Sequence, residues 1–304
     1  MSRSLVPGLI LALLVGGGLG AQATILVPQH HPDPASALAA ASDGDLILVA
    51  PGVYPGGLDF LGKAVELRSL LGPSVTVIDG AGLPAAVRID SSETVGAILD
   101  GFSIVNAVDT VGDSTTGGSG LVCAGSPRIR NCRFTGCRGS GHGGAVVIRP
   151  TPSGQHASPR FEDCCFLSNS VASDGTFIVG GAVGVFCDSI FGGVHVTFVR
   201  CDFTLNSCED SNGGSSRGGA VGATTSGALV EIAFEDCLFV ANHASDESPD
   251  ATPVQLAFPG RGGAIGWSST DPSPTRCASG VVVSCRTAPV TASIATAAAA
   301  ARSR

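Results

Sequence analysis

Apolar and polar residues alternate with a period of two along most of the chain. Runs rich in Phe, Val, Ile and Cys are broken by Gly, Ser, Asn and Pro, and they lack the 3.6-residue spacing of an amphipathic helix. This pattern predicts short β-strands joined by tight turns. Residues 34–41 are the one good helical segment, because Asp33 can cap its first turn and Pro34 occupies the first helical position.

The strand pattern is repeated between residues 120 and 267. In each copy an apolar residue is followed by cysteine and then phenylalanine, and successive cysteines lie 32, 37 and 36 residues apart. A second block, Gly-Gly-Ala followed by Val or Ile, falls between copies of the first. The cysteine blocks are Ile129/Cys132/Phe134, Phe161/Cys164/Phe166, Phe198/Cys201/Phe203 and Phe234/Cys237/Phe239, and the glycine blocks start at Gly143, Gly180, Gly218 and Gly262.

Each repeat is too short and too rich in glycine to bury an apolar face alone, so the copies must stack on one another to form a core. A bend just before each cysteine would turn all three apolar side chains inward. Stacking at roughly 4.8 Å per coil would then place Phe over Phe and Cys over Cys. We expect about seven to eight coils, with the helix at residues 34–41 covering the open N-terminal end.

The repeats also contain Phe-x-x-Asn, at residues 166–169, 203–206 and 239–242, with Cys137 in place of Asn in the first copy. Together with the Gly-Gly-Ala blocks, this resembles the right-handed parallel β-helix proteins of the broad pectate-lyase-like class and the repeats of polymorphic outer-membrane proteins. The resemblance covers residues 24–270 and implies an all-β, right-handed parallel β-helix solenoid. It implies no particular activity, because lyases, hydrolases, adhesins and inert surface proteins share such folds.

The N-terminus has the features of a secretion signal. Arg3 provides a positive charge, residues 5–15 are apolar, and Ala21 and Ala23 provide the small residues of a cleavage site. We therefore expect a signal peptide over residues 1–23, and a mature protein that is secreted or exposed on a bacterial cell surface.

The mature chain divides into two parts. A β-helix domain is expected over residues 24–270, followed over residues 271–304 by an irregular, low-complexity tail. The tail is either a helical cap or a truncated or frame-shifted end. No stretch after the signal is apolar for long enough to be a candidate membrane span.

Charge and cysteine content narrow the function further. The formal charge is −8, and becomes −9 when Arg3 is removed with the signal, whereas nucleic-acid binding needs a clustered basic face. Eleven cysteines in an exported protein suggest disulfides. Here, however, the repeat cysteines share one inward position, and Cys123 and Cys187 are expected to share another. Stacked apolar thiols are therefore preferred to sporadic disulfides, and both to a metal site.

The first candidate binding group is the column of bend residues, Asn131, Asp163, Arg200 and Asp236. Stacked bends would place the guanidinium of Arg200 between two carboxylates, which would suit contact with a polysaccharide. The structural interpretation, which we prefer, is a ladder of turn residues, because Asn and Asp suit such bends.

The second candidate group is the outward strand face beside the bends. Arg128 is expected above Arg160, with Glu162 and Glu235 flanking Val199. A lyase acting on acidic sugars would need carboxylates that hold Ca²⁺ and a basic group that abstracts a proton. Solvated strand-face charges are the preferred interpretation, so no cofactor is expected unless the protein is a lyase.

Gly141-His142-Gly143 superficially matches the Gly-His-Gly of β-helical polygalacturonases. The paired carboxylates that glycoside hydrolysis requires do not precede it, and His142 falls at a variable loop position of the repeat. The match is therefore interpreted as accidental.

The long loops are expected to leave the coils at equivalent corners and to gather on one side of the rod. These loops are residues 108–119, 150–157, 170–177, 209–217 and 243–261.

The sequence thus predicts a structural, adhesive or carbohydrate-binding β-helix protein without an evident active site. The expected partner is a polysaccharide or cell-surface glycan. The alternative is a polysaccharide lyase or glycoside hydrolase that acts on acidic glycans. Acidic and basic residues clustered on adjacent coils of one outward strand would favour the alternative, but the sequence shows only scattered ones.

Overall fold

The structure is a computed structural model. It describes residues 22–109, 119–150, 154, 156–172, 178–187, 192–209, 218–225 and 229–245 in full, and the backbone alone of residues 173, 210, 216–217, 265–269 and 281–286.

Three parallel sheets, here called A, B and C, form the body of the described chain. Sheet A contains β1 (Thr24–Val27), β2 (Leu46–Val49), β5 (Glu66–Ser69), β8 (Ile98–Asp100), β11 (Arg128–Arg130), β15 (Arg160–Glu162), β20 (Val194–Val199), β25 (Val230–Glu235) and β29 (Val281–Arg286). Sheet B contains β3 (Gly52–Pro55), β6 (Thr76–Asp79), β9 (Ser103–Val105), β12 (Arg133–Thr135), β16 (Cys165–Leu167), β21 (Asp202–Thr204) and β26 (Leu238–Val240). Sheet C contains β4 (Leu58–Asp59), β7 (Val87–Ile89), β10 (Leu121–Cys123), β14 (Val146–Ile148), β19 (Val183–Cys187), β24 (Val221–Thr225) and β28 (Ile265–Ser269).

The chain visits the sheets in the repeating order A, B, C, and each strand pairs in parallel with its counterparts in the neighbouring coils. Seven strands in each of sheets B and C give seven complete coils. The chain is therefore an all-β parallel β-helix of the predicted length. A right-handed winding, as predicted, is the rule for connections between parallel strands of one sheet.

The core consists of like residues stacked on like. One column of phenylalanines lies inside sheet B, where the ring centroids of Phe166 and Phe203 are 4.7 Å apart and their planes differ by 4°. A second column lies inside sheet A, where Phe161 and Phe198 are 5.0 Å apart. The two columns meet edge to face, for example between Phe198 and Phe203 at 5.4 Å. The predicted register is thus confirmed, and offset and edge contacts of this kind add to the burial energy of each ring.

The bend between sheets A and B is made by one residue in the left-handed conformation. Asn131, Asp163, Arg200 and Asp236 have φ angles of 48°, 53°, 50° and 53°. Asn and Asp tolerate this region at low cost, whereas a residue such as Arg is uncommon there. The predicted bend column is therefore confirmed at all four positions.

A second bend, at the end of sheet B, is followed by an internal asparagine ladder. Asn206 is fully buried, donates to the carbonyl of Phe166 at 3.0 Å, and accepts from the backbone N–H of Asn169 at 3.0 Å. Its amide also donates to Asn242 at 2.9 Å, so the side chains form one continuous chain of hydrogen bonds through three coils. This ladder explains the Phe-x-x-Asn spacing: the asparagine satisfies backbone groups that the turn would otherwise leave unpaired inside the protein.

The Gly-Gly-Ala blocks allow two backbone layers to touch. A small outer sheet D, with β13 (Arg138–Gly139), β17 (Ser170–Ser173), β22 (Ser207–Asp210) and β27 (His243–Ser245), lies at the corner between sheets B and C, together with a two-stranded sheet E of β18 (Ile178–Val179) and β23 (Ser216–Arg217). A Cβ on Gly181 would lie 2.1 Å from the carbonyl oxygen of Gly219 and 2.5 Å from that of Ser207. The glycine repeat is therefore a packing requirement of the fold.

The predicted capping helix is present as α1 (Pro34–Ala40). The Asp33 carboxylate accepts from the backbone N–H of Ser36 at 2.8 Å, as an N-cap does. Leu38 is fully buried in the core cluster, and the helix packs against strands of the first coil. At its other end the Lys63 ammonium donates to the carbonyls of Leu38 and Ala39 at 2.8 and 2.9 Å, where a cation is favourable.

Three expectations about arrangement are corrected. Cys123 pairs in register with Ile148 and hence Val185, whereas Cys187 lies two residues further along its strand, so the two cysteines occupy different columns. The loops do not all leave at one corner: four lie between sheets B and C, but residues 150–157 lie between sheets C and A.

The third correction concerns the tail. The backbone of Val281–Arg286 forms β29 and pairs with β25, so part of the segment expected to be irregular extends sheet A. The remaining residues of the segment 271–304 lie outside the described part of the chain, and the predicted domain boundary at residue 270 stays a prediction.

Candidate ligand-binding face

The outward face of sheet A carries two rows of side chains, because the middle residue of each short strand points into the core and its two neighbours point out. The first row is Glu66, Ile98, Arg128, Arg160, Thr197 and Ala233, and the second is Arg68, Asp100, Arg130, Glu162, Val199 and Glu235. The predicted stacking of Arg128 on Arg160, and of Glu162 and Glu235 about Val199, is therefore confirmed. Charge alternates along the first four positions of the second row.

The N-terminal half of this face is an ion-pair network. Arg130 contacts the carboxylates of Glu66 and Asp100 at 3.0 and 3.1 Å, and Arg68 also contacts Glu66. Partial burial raises the pKa of Asp100, and the positive charges of Arg130 and Arg68 offset part of this shift. The network joins three successive coils, and it neutralises its own charges.

In the next coils of the same face, positive and negative charges are less evenly paired. Arg160 contacts Glu162 at 2.5 Å, but Arg128 is exposed and makes no ion pair within the described residues. Further along, an additional outward pair is formed by His195 and Glu231, whose Nδ1 and carboxylate lie 3.0 Å apart. The face therefore changes from a closed network to a region with an unpaired cation.

The bend column contains one exposed bidentate pair. Arg200 donates to both carboxylate oxygens of Asp163 at 2.7 Å, and the two side chains are 55% and 52% exposed. The hydrogen bond from Arg200 is the main reason why the pKa of Asp163 is lowered. Asp236 lies one coil further along, at the equivalent bend. An exposed ion pair of this kind contributes little to folding stability. Arg200 and Asp163 are thus part of a ladder of turn residues whose charges face the solvent.

The remaining candidate, His142, lies in the loop between β13 and β14, as predicted, but this part of the loop is buried. Its side chain is 3% exposed and stacks on Phe186 with ring centroids 4.8 Å apart. Burial lowers the pKa of His142 to about 4. It is thus a neutral residue of the layer outside sheet C, which supports the interpretation that the Gly-His-Gly match is accidental.

The repeat cysteines are core residues, as predicted. The thiol of Cys132 is fully buried and points to the carbonyls of Leu99 and Arg130 at 3.7 and 3.2 Å, and Cys164 and Cys201 repeat this contact in the next coils. Burial raises the pKa of Cys132 to about 12. Such thiols are poor nucleophiles and poor metal ligands at neutral pH. Within the described residues, moreover, no three His, Cys, Asp or Glu side chains form a group that could hold a metal ion.

The sequence pattern does not predict one feature of this surface and one feature of the core. The ion pair between Arg130 and Glu66 joins residues 64 positions apart and two coils distant, which the repeat pattern does not specify. The asparagine ladder in the core has a visible signal in the Phe-x-x-Asn spacing, but that spacing alone indicates a family resemblance and not the hydrogen bonds.

Comparison with known proteins adds little. No family model matches the chain, and no curated protein is similar to it. Among solved structures, a pectin methylesterase from carrot is similar over 87% of this chain and 88% of its own, with 14% sequence identity and a TM-score of 0.33. A similarity at this level does not bear on function. Among the helices in the described residues, none is long and apolar enough to cross a membrane.

Proposed function

We propose that this chain is a secreted or surface-exposed β-helix protein that binds polysaccharide through the outward face of sheet A and does not catalyse a reaction on it. The observation that supports this proposal is the pair of in-register rows on that face. Charged and polar side chains recur there from coil to coil at the spacing of paired strands, roughly 4.8 Å. A repeating ligand can meet a repeating surface of this kind at several positions at once.

The rigidity of the face supports the same function. The strands of sheet A from β2 to β25 are each paired on both sides, and the inward side chains beneath them, such as Leu99, Ile129, Phe161 and Phe198, are fully buried. Little conformational freedom is therefore lost when a ligand binds, which favours affinity for an extended polymer. Many weak contacts along one rod would also combine through multivalency.

Export and surface exposure belong to the same proposal. The signal-like residues at the N-terminus are followed directly by β1, which begins at Thr24, the residue at which the mature chain was predicted to start. Sequencing the N-terminus of the exported protein would test this: a mature chain that begins near Thr24 is expected. A chain that retains residues 1–23 would contradict secretion by this route.

The test of binding uses the mature full chain and a panel of neutral and acidic polysaccharides. We expect binding to at least one polysaccharide, with no new reducing or unsaturated ends after long incubation, whether or not Ca²⁺ is added. New ends would show that the protein is a glycoside hydrolase or a polysaccharide lyase. Absence of binding to every polysaccharide would contradict a carbohydrate-binding role and leave the structural or adhesive role, which cell-surface pull-down would then address.

The resemblance to the repeats of polymorphic outer-membrane proteins fits an adhesive version of this role. Immunolabelling of intact cells would test it, since an anchored surface protein is accessible to antibody on the cell. Recovery of the protein from the culture medium alone would contradict surface attachment.

A further inference from the structure

One coil of this acidic protein is strongly basic. Residues 119–150, which include β10 to β14, contain five arginines and neither Asp nor Glu, although the chain as a whole has a formal charge of −8. The coils on either side do contain carboxylates, among them Asp90 and Asp100 before this coil and Glu162 after it. The positive charge is therefore concentrated in one layer of the rod.

Two of the five arginines are neutralised by the preceding coils. Arg130 pairs with Glu66 and Asp100, and Arg149 lies 3.2 Å from Asp90. Arg128, Arg133 and Arg138 are exposed and make no ion pair within the described residues. These three begin the successive strands β11, β12 and β13, so they point from different faces of the coil.

Arg128 differs from the other two because its in-register neighbour is another arginine. Arg128 pairs with Arg160 across the parallel ladder, so the two outward side chains start roughly 4.8 Å apart. Like charges directly opposite each other in a sheet are destabilising. Glu162 offsets the charge of Arg160 but lies in the other row, away from Arg128. The neighbours of Arg128 are Ile98, Arg160 and Arg130, and Arg130 is already paired with Glu66 and Asp100. None of these neighbours offsets the charge of Arg128.

We propose that Arg128 and Arg160 form a binding site for the anionic groups of a glycan, carboxylate or sulfate, on the outward face of sheet A. This inference rests on the proposed function and specifies the ligand and its position. A guanidinium offers two parallel donors to an oxyanion, and two guanidiniums on adjacent strands can hold one such group between them. A bound anion would also remove the repulsion between the two side chains.

The site lies away from the loops that gather between sheets B and C. The outward side of sheet C is covered, since Val122 and Val147 there are 1% exposed. Among the described residues none covers sheet A at Arg128, whose side chain is exposed, so an extended chain can approach it along the rod axis. The lateral strand face, and not the loop side, is therefore the anion-binding surface.

The experiment compares the wild-type chain with Arg128→Ala and Arg133→Ala. The two variants remove the same charge from the same coil, but Arg133 lies on the outward face of sheet B. Binding of a polyuronate, a sulfated glycan and a neutral glycan is measured at low and high salt. Arg128→Ala is expected to weaken binding of an acidic glycan about tenfold or more, and Arg133→Ala to have little effect. The salt dependence of wild-type binding should fall in Arg128→Ala.

A third variant, Arg128→Glu, separates a binding role from a structural one. It replaces the repulsive pair with an attractive one, so its Tm should rise by about 1–2 °C while binding of the acidic glycan is lost. The polyuronate and sulfate arms identify which oxyanion is preferred. Equal loss in Arg128→Ala and Arg133→Ala, or unchanged acidic-glycan binding in Arg128→Glu, would overturn the site. Binding of the neutral glycan alone would overturn it too, but would leave the proposed function intact.

Discussion

The buried His142 makes folding stability sensitive to mild acid. Burial lowers its pKa to about 4 in the folded protein, whereas an unfolded histidine titrates near 6.5. As pH falls below about 6.5, His142 becomes protonated in the unfolded chain but stays neutral in the folded protein, so the free energy of unfolding decreases. The stability that the folded protein gains from keeping His142 neutral is fully present above pH 6.5, and its loss is complete only when pH falls through about 4.

The magnitude follows from the difference between the two pKa values. Between pH 7.5 and pH 4.5 the linkage amounts to about 2.5 kcal/mol of unfolding free energy. Its physical origin is the surroundings of the ring: the side chain is 3% exposed and stacks on Phe186, and no described residue gives Nδ1 a hydrogen bond. Protonation inside this layer would leave a cation without a partner.

The assay is urea unfolding at pH 7.5 and at pH 4.5, followed by circular dichroism. Wild type should lose about 2.5 kcal/mol more between the two pH values than His142→Leu, which cannot take up the proton. Phe186→Leu is the matched control, because it loosens the same contact but keeps the imidazole buried. That variant should be less stable at both pH values and retain the wild-type pH dependence.

Comparison of the two differences decides the outcome. If His142→Leu and wild type lose the same free energy on acidification, the imidazole is not held neutral by its surroundings and the reasoning fails. A wild-type protein that gained stability in acid would also refute it, because the sign of the linkage would be reversed.

Three further predictions concern the repeat itself and are measured by urea unfolding. Gly181→Ala should destabilise the protein by more than about 3 kcal/mol, because its Cβ would lie 2.1 Å from a backbone oxygen. In the control Gly82→Ala, the new Cβ meets nothing within 4 Å, so this variant should lose only about 1 kcal/mol to backbone strain. Equal losses in the two variants would argue against close backbone packing. Asn206→Leu should cost about 3–5 kcal/mol by leaving buried backbone groups unpaired, and a neutral result would show that the ladder carries little energy. Phe198→Ala should cost about 3–5 kcal/mol, and a loss below about 1 kcal/mol would contradict a close-packed column.

The inward half of the structure was predictable because stacking forces equivalence. An inward position of one coil must lie over the same position of the next, so the Phe and Cys columns followed from the spacing of the repeat, and the bends at Asp163 and Arg200 followed from the switch in apolar period. The same logic predicts that Arg128 lies over Arg160, as the structure has it. The capping helix was predictable for a different reason, since its N-cap and first-turn proline are local signals.

What the tertiary structure alone decided lies outside the core. Loops of unequal length separate the strands, so the sequence does not show which outward groups of different coils come within reach, as Arg130 and Glu66 do. It also does not show what covers an outward face: His142 is buried because the neighbouring coil brings Phe186 against its ring. The sequence by itself determined the coil, the direction of its inward residues and the columns they form. Three-dimensional packing determined which charges are neutralised and which histidine is excluded from water. Both depend on the distances between side chains of different coils, and the repeat pattern within a single coil does not specify these distances.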